Sequence, residues 1–365
     1  MQAIRVSLPA WGGGSGRVDP TAGYAGRMAL VAMRWHGDGL VMLDQRRLPT
    51  EEVWVELRSW REVAKAIEQM VVRGAPAIGV AAAYGMALAA RAGEDWNVAR
   101  AGLAASRPTA VNLFWALDRL DRLSDKSPES VAQAAQQIES EDRAMNEAIG
   151  VHGAELVPAE ARILTICNTG SLATAGHGTA LGIIRTAWAQ GKVKHVYSCE
   201  TRPRQQGLRL TAFELMHDEI PFHSIVDSAA ASLMQKGQVD WIVAGADRIA
   251  ANGDTANKIG TYMLAVLAHH HKIPFVIAAP SSTLDPLQPT GSSIPIEERA
   301  ADEITEMDGV RIAPAGCPVW NPGFDVTPGE LIHAIVTEGG VWRRPYAFRP
   351  GDERAEPQAR PLTNR

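Results

Sequence analysis

The sequence predicts an α/β protein in which a mostly helical amino-terminal domain is followed by a parallel-sheet domain. Up to about residue 150 the apolar residues recur at helical spacing, and from residue 162 onward short apolar segments alternate with helical patterns. This alternation is typical of βαβ units, in which helices join parallel strands. With 365 residues and 46% hydrophobic residues, the chain is long and apolar enough for two domains with sizeable cores.

Charge and cysteine content narrow the classes of partner. The net charge of −5 and the pI of about 6.1 argue against a nucleic-acid-binding surface, so we expect a small-molecule partner. The three cysteines, Cys167, Cys199 and Cys317, lie far apart without a Cys-x-x-Cys motif. They indicate neither a disulfide framework nor a metal site, and they favour a reducing cytoplasm.

The amino-terminal half is predicted in three parts. Residues 1–32 include a glycine-rich stretch and are predicted to be a flexible leader that fits neither a signal peptide nor a membrane span. Residues 33–49 contain a Gly-Asp-Gly turn and predict a hairpin followed by an extended segment. Helical patterns then complete a domain over residues 33–150, at 59–70, 81–91 and 131–149.

The second half, residues 151–348, is predicted to hold the sheet. Apolar segments predict strands at 162–167, 195–200, 222–227, 240–246 and 274–279. Helical patterns lie between them, at 178–190, 208–218, 229–236 and 257–271. A Pro- and Gly-rich region follows, then a short predicted helix at 330–336 and a loose tail over 349–365.

Two predicted strands end on reactive side chains. Cys167 precedes a loop rich in Gly, Ser and Thr that turns helical near Gly178, which predicts an anion cradle. Asp247 follows the strand 240–246, and Asn257 and Lys258 open the next predicted helix. An isolated Asp or Lys is more often a loop cap or a surface residue. Here both strands are expected to end at the same edge of the sheet, where ligands bind in open α/β folds.

Three further polar residues are candidates for the same site. Arg73 precedes a Gly-Ala-Pro break and a helix, Arg107 lies beside a proline, and Gln206 follows the strand 195–200. Either arginine alone is more often a surface residue. Together with the thiol, the carboxyl and the amine they favour proton transfer on a small phosphorylated molecule, because neither a metal-ligand set nor a nucleotide fingerprint accompanies them.

Four segments carry a specific resemblance to a known family. Residues 73–79, 167–174, 200–212 and 245–262, in this order, resemble the methylthioribose-1-phosphate isomerases of methionine salvage, and the similarity spans residues 33–348. The wider family also contains regulatory subunits of the translation-initiation exchange factor and ribose-1,5-bisphosphate isomerases.

The resemblance implies a cytoplasmic homodimer with a Rossmann-like second domain and no cofactor. It places an aldose-ketose isomerisation on the catalytic pair Cys167 and Asp247. It also implies a set of substrate contacts in both halves of the chain, namely Arg73, Gly74, Ala75, Arg107, Gln206, Asn257 and Lys258.

The chemistry explains these residue types. In 5-methylthioribose 1-phosphate the anomeric oxygen is esterified, so the ring cannot open to a free aldehyde. We expect Asp247, kept protonated by burial, to donate to the ring oxygen, while Cys167 moves a proton from C2 to C1 through an enolate. A hydride shift from C2 to C1 is the competing mechanism.

Other functions on the same fold stay open at this point. One is a non-catalytic regulatory or assembly subunit, and another is an isomerase of ribose 1,5-bisphosphate or 5-deoxyribose 1-phosphate. A methylthio group requires an apolar pocket. Residues 33–43 and the scattered tryptophans are the candidates for it.

Overall fold

Two main sheets organise the described chain. An antiparallel sheet packs against helices in the amino-terminal half, and a mostly parallel sheet forms the second half. The structure is a computed structural model that describes residues 2–6, 30–36, 38–108, 110–307 and 309–352. Its first sheet is antiparallel with the order β1-β4-β3-β2, built from β1 (Gln2–Val6), β2 (Met33–Trp35), β3 (Leu40–Leu43) and β4 (Glu52–Leu57). The hairpin prediction for residues 33–49 is confirmed by β2 and β3.

The prediction of a flexible leader over residues 1–32 is wrong for residues 2–6. Strand β1 pairs with β4 along its whole length, from Gln2 opposite Glu56 to Val6 opposite Glu52. The Ile and Val of this strand alternate with other residues over only five positions, which is too short a signal to distinguish from a polar leader. Residues 7–29 lie outside the described part of the chain.

Five helices pack behind this sheet. They are α1 (Trp60–Glu68), α2 (Ala75–Arg91), α3 (Trp96–Ser106), α4 (Val111–Asp121) and α5 (Pro128–Ala154). Side-chain caps start three of them, because Ser59, Asp95 and Ser127 each accept a hydrogen bond from a first-turn amide. Helix α2 is buried along almost its entire length, and its many alanines let the neighbouring helices approach closely.

The larger sheet has seven strands within the described residues, in the order β17-β16-β11-β8-β5-β6-β7. All neighbours are parallel except β17. Numbered among themselves, the six parallel strands have the order 3-2-1-4-5-6 of a doubly wound fold. The strands are β5 (Ala161–Thr165), β6 (Val193–Cys199), β7 (Phe222–Ile225), β8 (Trp241–Ala244), β11 (Phe275–Ala278), β16 (Ala334–Thr337) and β17 (Gly340–Trp342).

Both faces of this sheet are buried. Ile163 and Val243 point to a cluster with α6 (Ala180–Ala189), whereas Leu164 and Ile242 point to a cluster with α9 (Thr261–His271). Because successive strand residues face opposite sides, burial of both sides requires the continuous apolar segments seen in the sequence. The remaining helices are α7 (Ala212–His217), preceded by a π-turn over Gly207–Thr211, α8 (Ala229–Gln235) and the short α10 (Asp302–Thr305).

A small four-stranded sheet lies beyond the carboxyl end of β8. Its order is β12-β9-β10-β15, from β12 (Leu284–Asp285), β9 (Arg248–Ala250), β10 (Thr255–Lys258) and β15 (Phe324–Thr327). A separate hairpin joins β13 (Glu306–Met307) to β14 (Val310–Arg311). The small sheet carries Lys258 next to Asp247, so it supplies one wall of the site.

The secondary-structure predictions hold for the parallel sheet and fail in two places beside it. All five predicted strands of the second half are confirmed, as are the helices that begin near residues 178, 208 and 229. The helix predicted over 257–271 begins only at Thr261, because Thr255–Lys258 pairs with β15 as a strand. The helix predicted over 330–336 is instead the buried strand β16, whose four apolar-rich residues are too few to show a period.

Within the described residues, every helix is too short or too polar to span a bilayer.

Candidate active site

Cys167 lies just past the end of β5 in a strained backbone conformation. Its φ of +66° belongs to the left-handed region that residues with a Cβ rarely adopt. Two threonines hold this geometry: the Cys167 amide donates to Thr201 Oγ1 at 2.8 Å, and Thr211 Oγ1 donates to the Cys167 carbonyl at 2.6 Å. The side chain is 6% exposed. The backbone therefore fixes where the thiol points.

Arg73 connects the start of α2 to this cysteine. Its Nη1 donates to Asn168 Oδ1 at 2.9 Å, its Nη2 donates to the Asn168 carbonyl at 3.0 Å, and Nη2 lies 3.9 Å from Cys167 Sγ. Asn168 in turn donates through Nδ2 to Glu214 Oε1 at 2.7 Å. A permanent positive charge is thus held against the thiol by a buried chain of hydrogen bonds.

Asp247 lies between β8 and β9, at the same edge of the sheet. Its amide donates to the Ala256 carbonyl at 2.9 Å, which ties it to the small sheet. Burial raises the pKa of the Asp247 carboxyl, and the positive charges of Lys258, Arg73 and Arg107 oppose that rise. Strands β5 and β8 are neighbours at the point where the strand order reverses, so Cys167 and Asp247 flank the usual ligand crevice of this fold.

Lys258 is coupled to both of these residues. Burial lowers the pKa of its amine, and the charges of Cys167 and Asp247 counteract this effect. Its Nζ donates to the Gly323 carbonyl at 2.8 Å and lies 4.2 Å from the centre of the Phe324 ring. The amine of Lys258 thus interacts electrostatically with both the thiol of Cys167 and the carboxyl of Asp247.

Two clefts meet at this place. The first has about 820 Å³ of empty space and is strongly cationic, since its lining includes Arg46, Arg73, Arg107, Arg204, Arg209, Lys258 and Arg299. The second has about 650 Å³ and an apolar side formed by Ile78, Ala110, Ala256, Ile294, Pro295, Ile296 and Phe324. Its charged lining residues are Arg107, Asp247, Arg248 and Glu297. Gly74, Arg107, Asp247 and Phe324 line both clefts.

Most of the predicted site residues meet here. The first cleft is lined by Arg73, Gly74, Arg107, Gln206, Asp247 and Lys258, and the second also by Ala75. Cys167 is not among the residues that line either cleft, but its Sγ lies 3.9 Å from Nη2 of Arg73, which lines the first. Gln206 is 8% exposed, and its Oε1 has no hydrogen-bond partner among the described residues. A buried amide oxygen without a hydrogen-bond partner, placed beside a cleft, is suited to accept a hydrogen bond from a ligand hydroxyl.

Asn257 departs from the expected arrangement. It lies in β10, where consecutive side chains point to opposite faces, so Asn257 and Lys258 cannot both face the cleft. Its Nδ2 donates to Thr261 Oγ1 at 2.9 Å, and the residue is 3% exposed. Asn257 is not among the residues that line either cleft.

Two predicted anion cradles are already occupied by carboxylates of the chain itself. In the loop after Cys167, the amides of Ser171 and Leu172 donate to Glu214 at 2.7 and 3.3 Å. At the start of α9, the amides of Gly260 and Tyr262 donate to Asp325 at 2.7 and 3.1 Å. The cradle predicted after Cys167 therefore holds the carboxylate of Glu214, and the start of α9 holds that of Asp325 in the same way.

The start of α2 differs from those two. Its N-cap is Gly74, and no side chain caps the helix within the described residues. Gly74 and Ala75 line the clefts, close to Arg73 and Arg107. Pro76 has no amide hydrogen, so the first-turn donors of α2 are the amides of Ala75 and Ala77. Such amides bind anions, so this helix start is suited to hold a phosphate.

Sequence reasoning missed several residues that build the site. Glu214 and Asn168 position Arg73, while Arg299 and Glu297 line the clefts from a region predicted only as ordered loops. Asn168 was adjacent to a recognised cysteine, but the chemistry of an amide gave no reason to single it out. Within the described residues, no group of three or more His, Cys, Asp or Glu is arranged to hold a metal ion.

Comparison with known proteins identifies the family to which this chain is similar. The Initiation factor 2 subunit family matches residues 71–344. A methylthioribose-1-phosphate isomerase of Alcanivorax borkumensis is 57% identical over 326 residues, which is 86% of this chain and 94% of the relative.

Two crystal structures resemble the chain closely. One is a 5-methylthioribose 1-phosphate isomerase from Pyrococcus horikoshii, with a TM-score of 0.82 and 44% identity, covering 87% of this chain and 93% of that one. The other is named as subunit delta of translation initiation factor eIF-2B from A. fulgidus, with a TM-score of 0.77 and 43% identity, covering 89% of this chain and 99% of that one.

Proposed function

The chain belongs to the initiation factor 2 subunit family, among its methylthioribose-1-phosphate isomerases, and we propose that Cys167 and Asp247 catalyse that isomerisation here. The reaction converts the aldose 5-methylthioribose 1-phosphate into the ketose 5-methylthioribulose 1-phosphate in methionine salvage. One observation carries the assignment of the catalytic pair. A buried thiol and a buried carboxyl follow neighbouring strands at the reversal of the strand order, and the charge of Lys258 acts on both.

The phosphate is bound in the cationic cleft. Arg73 supplies a guanidinium, Lys258 supplies an amine that a bound dianion would help to keep protonated, and the start of α2 supplies backbone amides. A dianion in a partly buried cleft needs such charge-assisted donors. Arg107 lines both clefts, so it contacts the sugar or its phosphate where the two clefts meet. Gln206 accepts a hydrogen bond from a sugar hydroxyl. Asn257 contributes through its backbone, because its side chain is engaged with Thr261.

The methylthio group is bound in the apolar cleft. Ile78, Ile294 and Ile296 give this cleft a wall suited to a neutral sulfur-bearing substituent. The expectation that residues 33–43 form this pocket is wrong, because Met33, Leu40 and Met42 are buried in the core behind the first sheet. The two clefts together match a molecule with a phosphate at one end and an apolar group at the other.

The reaction begins with ring opening. Burial raises the pKa of Asp247, which favours the protonated carboxyl, and this group donates its proton to the ring oxygen as the bond from C1 to that oxygen breaks. Cys167, acting as a thiolate, removes the proton from C2, which gives the enol of the phosphorylated open chain. It then returns a proton to C1 while the Asp247 carboxylate takes the proton of the C2 hydroxyl, which forms the ketone at C2 and restores both groups. Arg73 and Lys258 stabilise the negative charge that develops during these steps.

Solvent deuterium distinguishes this enolate route from a hydride shift. The reaction is run in deuterium oxide, and C1 of the product is analysed by NMR. We expect deuterium at C1, because the thiol exchanges its proton with solvent between the two transfers. Complete retention of the substrate hydrogen at C1 would assign the reaction to the hydride shift.

A direct assay tests the function itself. Purified protein is offered 5-methylthioribose 1-phosphate, 5-deoxyribose 1-phosphate and ribose 1,5-bisphosphate in parallel, and ketose formation is measured. We expect the methylthio sugar to have the highest kcat/KM. Absence of ketose from all three sugars would favour a non-catalytic subunit, the role that the name of the A. fulgidus relative raises.

The organisation of the protein is part of the proposal. The helical region over residues 33–150 and the Rossmann-like region over 151–348 form two domains, and two chains form a cytoplasmic homodimer. The exposed apolar residues Tyr262, Met263 and Val266 on α9 support such an interface. Light scattering after gel filtration is expected to give twice the 39.2 kDa mass of one chain. A mass of one chain at micromolar concentration would contradict the dimer.

A further inference from the structure

Glu297 stands in the wall of the apolar cleft, next to Pro295 and Ile296. It is the acidic residue closest in sequence to the apolar side chains that receive the methylthio group in the proposed function. Asp247, the other acid of this cleft, lies where the cleft meets the cationic one. Placing a carboxylate in an apolar wall costs free energy unless the carboxylate is paired, so the partners of Glu297 matter.

The pairing of this carboxylate is incomplete. Glu297 Oε1 accepts a hydrogen bond from Arg299 Nη1 at 2.7 Å. Glu297 Oε2 is buried and has no hydrogen-bond partner among the described residues. The Glu297 carbonyl accepts from the Gly323 amide at 2.8 Å, which fixes the backbone. The carboxylate is therefore held in place by its ion pair with Arg299, while Oε2 is left without a hydrogen bond among the described residues.

The position of Arg299 does not depend on Glu297 alone. Arg299 Nη2 also donates to Glu303 Oε1 at 2.9 Å, and Nε donates to the same oxygen at 3.3 Å. Loss of the charge on Glu297 therefore leaves this arginine anchored. A substitution at Glu297 can test the charge without dismantling the cationic cleft.

The charge of Glu297 acts on Arg107 and Asp247, which lie where the two clefts meet. Burial lowers the pKa of Arg107, and among the nearby charges Glu297 opposes this most strongly. Burial also raises the pKa of Asp247, and after the three cations that counteract it, Glu297 adds to the rise. A negative group of the substrate placed in the apolar cleft would be repelled by Glu297, whereas Arg107 and Arg248, which line the same cleft, would attract it, so its distance to Glu297 decides the outcome.

We propose that Glu297 is a specificity-determining residue that rejects sugars carrying a second phosphate at C5. A 5-methylthio group is neutral and apolar, so it fits beside Ile294 and Ile296 without meeting a like charge. A 5-phosphate would lie close to the carboxylate of Glu297 and would be repelled. Selectivity then comes from an unfavourable contact with the wrong substrate as well as from a favourable contact with the right one. This inference rests on the proposed isomerase function and deepens it.

The test compares two neighbouring glutamates. Wild type, Glu297→Gln and Glu298→Gln are assayed with 5-methylthioribose 1-phosphate and with ribose 1,5-bisphosphate. Glu298 is exposed and follows Glu297 directly, so it is a matched control. The inhibition constant of the bisphosphate against the methylthio substrate is measured as well, because it reports binding even without turnover.

We expect Glu297→Gln to shift the preference toward the bisphosphate. The ratio of kcat/KM for bisphosphate over methylthio sugar rises at least about tenfold, or the inhibition constant falls by as much, while Glu298→Gln resembles wild type. Glu297→Ala repeats the test without a new amide group, and thermal melting of each variant shows that it is folded.

These assays separate a failure of the Glu297 proposal from a failure of the proposed isomerase function. If wild type converts the methylthio sugar preferentially and both Glu297 variants keep the wild-type ratio and inhibition constant, the role of Glu297 is refuted and the isomerase function stands. If wild type prefers the bisphosphate, or turns over neither sugar, the proposed function itself fails.

Discussion

At the scale of single residues, Asn168 positions the guanidinium of Arg73 against the thiol of Cys167. It accepts from Arg73 through both its side-chain and its backbone oxygen, at 2.9 and 3.0 Å, and Glu214 holds the amide in this orientation. A charge close to a reacting group stabilises a transition state only while it is held in register with that group. Asn168 is thus a positioning residue.

Replacement of Asn168 tests this role. We expect Asn168→Ala to lower kcat by about tenfold or more with a smaller change in KM, because the arginine keeps its charge but loses one anchor. Asn97→Ala, the same change at an exposed position of α3, is the control and should leave both constants unchanged. A kcat within about twofold of wild type for Asn168→Ala would show that the backbone contact alone is sufficient.

Single residues also show how far the sequence leads. Cys167 and Asp247 could be predicted because each follows an apolar strand and because thiols and carboxyls have a chemistry of their own. Asn168, Glu214 and Glu297 could not, since an amide or a carboxylate is informative only once its neighbours are known. Glu214 lies 46 residues from Asn168 in the chain. Nothing local in a helical pattern indicates such a pairing.

At the scale of elements, the start of α2 is set by the close approach of Gly74 to Ala173. The φ of Gly74 is +96°, and a Cβ built there would lie 2.5 Å from the Ala173 carbonyl oxygen and 2.6 Å from its Cα. Gly74 leads into the start of α2, and Ala173 lies in the loop after Cys167, so both segments contain or adjoin residues of the site. The glycine allows the helix start and the loop after Cys167 to face one cleft.

Gly74→Ala is expected to destabilise the protein by about 2 kcal/mol or more, because strain and a backbone clash add together. Gly191→Ala is the matched control: its φ of +69° is also unfavourable, but nothing lies within 4 Å of the added Cβ. The control should cost only about 1 kcal/mol, measured by urea unfolding. Equal losses in the two variants would show that the contact with Ala173 has no effect.

Helix α5 carries a buried acid that makes stability depend on pH. Burial raises the pKa of Asp142 to about 7, although the Ala175 amide donates to Oδ2 at 2.7 Å. The folded protein therefore keeps a proton that the unfolded chain releases above its ordinary pKa. The stabilising contribution of Asp142 is complete below the unfolded pKa and is lost as pH rises through about 7.

Asp142→Asn removes this ionisation and keeps an oxygen to accept from Ala175. We expect the free energy of unfolding of the variant, relative to wild type, to rise by at least about 1 kcal/mol between pH 5 and pH 8. Glu147→Gln, at an exposed position of the same helix, should show no such trend. A difference between Asp142→Asn and wild type that is constant with pH would contradict a buried neutral carboxyl.

Elements differ in how well the sequence predicts them. The strands of the parallel sheet were recognisable because both of their faces are buried, which leaves continuous apolar segments. Strand β10 was not, since Thr255–Lys258 is mostly polar and becomes a strand through its pairing with β9 and with Phe324–Thr327, almost seventy residues away. That pairing also decides that Lys258 faces the cleft and Asn257 does not.

At the scale of the whole molecule, the site is built between the two halves of the chain. Arg73, Gly74 and Arg107 of the cationic cleft come from the helical half, and Asp247 and Lys258 come from the sheet half. Cys167, also from the sheet half, is joined to this cleft through Arg73. Two further hydrogen bonds join the halves: Gln45 Nε2, at the cationic cleft, donates to the Leu172 carbonyl at 2.7 Å, and Asn112 Nδ2 donates to Ser282 Oγ at 2.9 Å. The sequence pattern predicts both halves but contains no signal for how they face each other. The family resemblance supplied that information.

The most direct test of the account is the turnover of Cys167→Ser and Asp247→Asn on 5-methylthioribose 1-phosphate, with binding measured separately. Each variant should lose about a hundredfold or more in kcat while substrate binding stays within a few fold of wild type, because the groups act on the transition state. The double variant should lose little more than the worse single variant, since the pair acts as a unit. Near-normal turnover in either single variant would contradict the claim that this thiol and this carboxyl work together on one sugar.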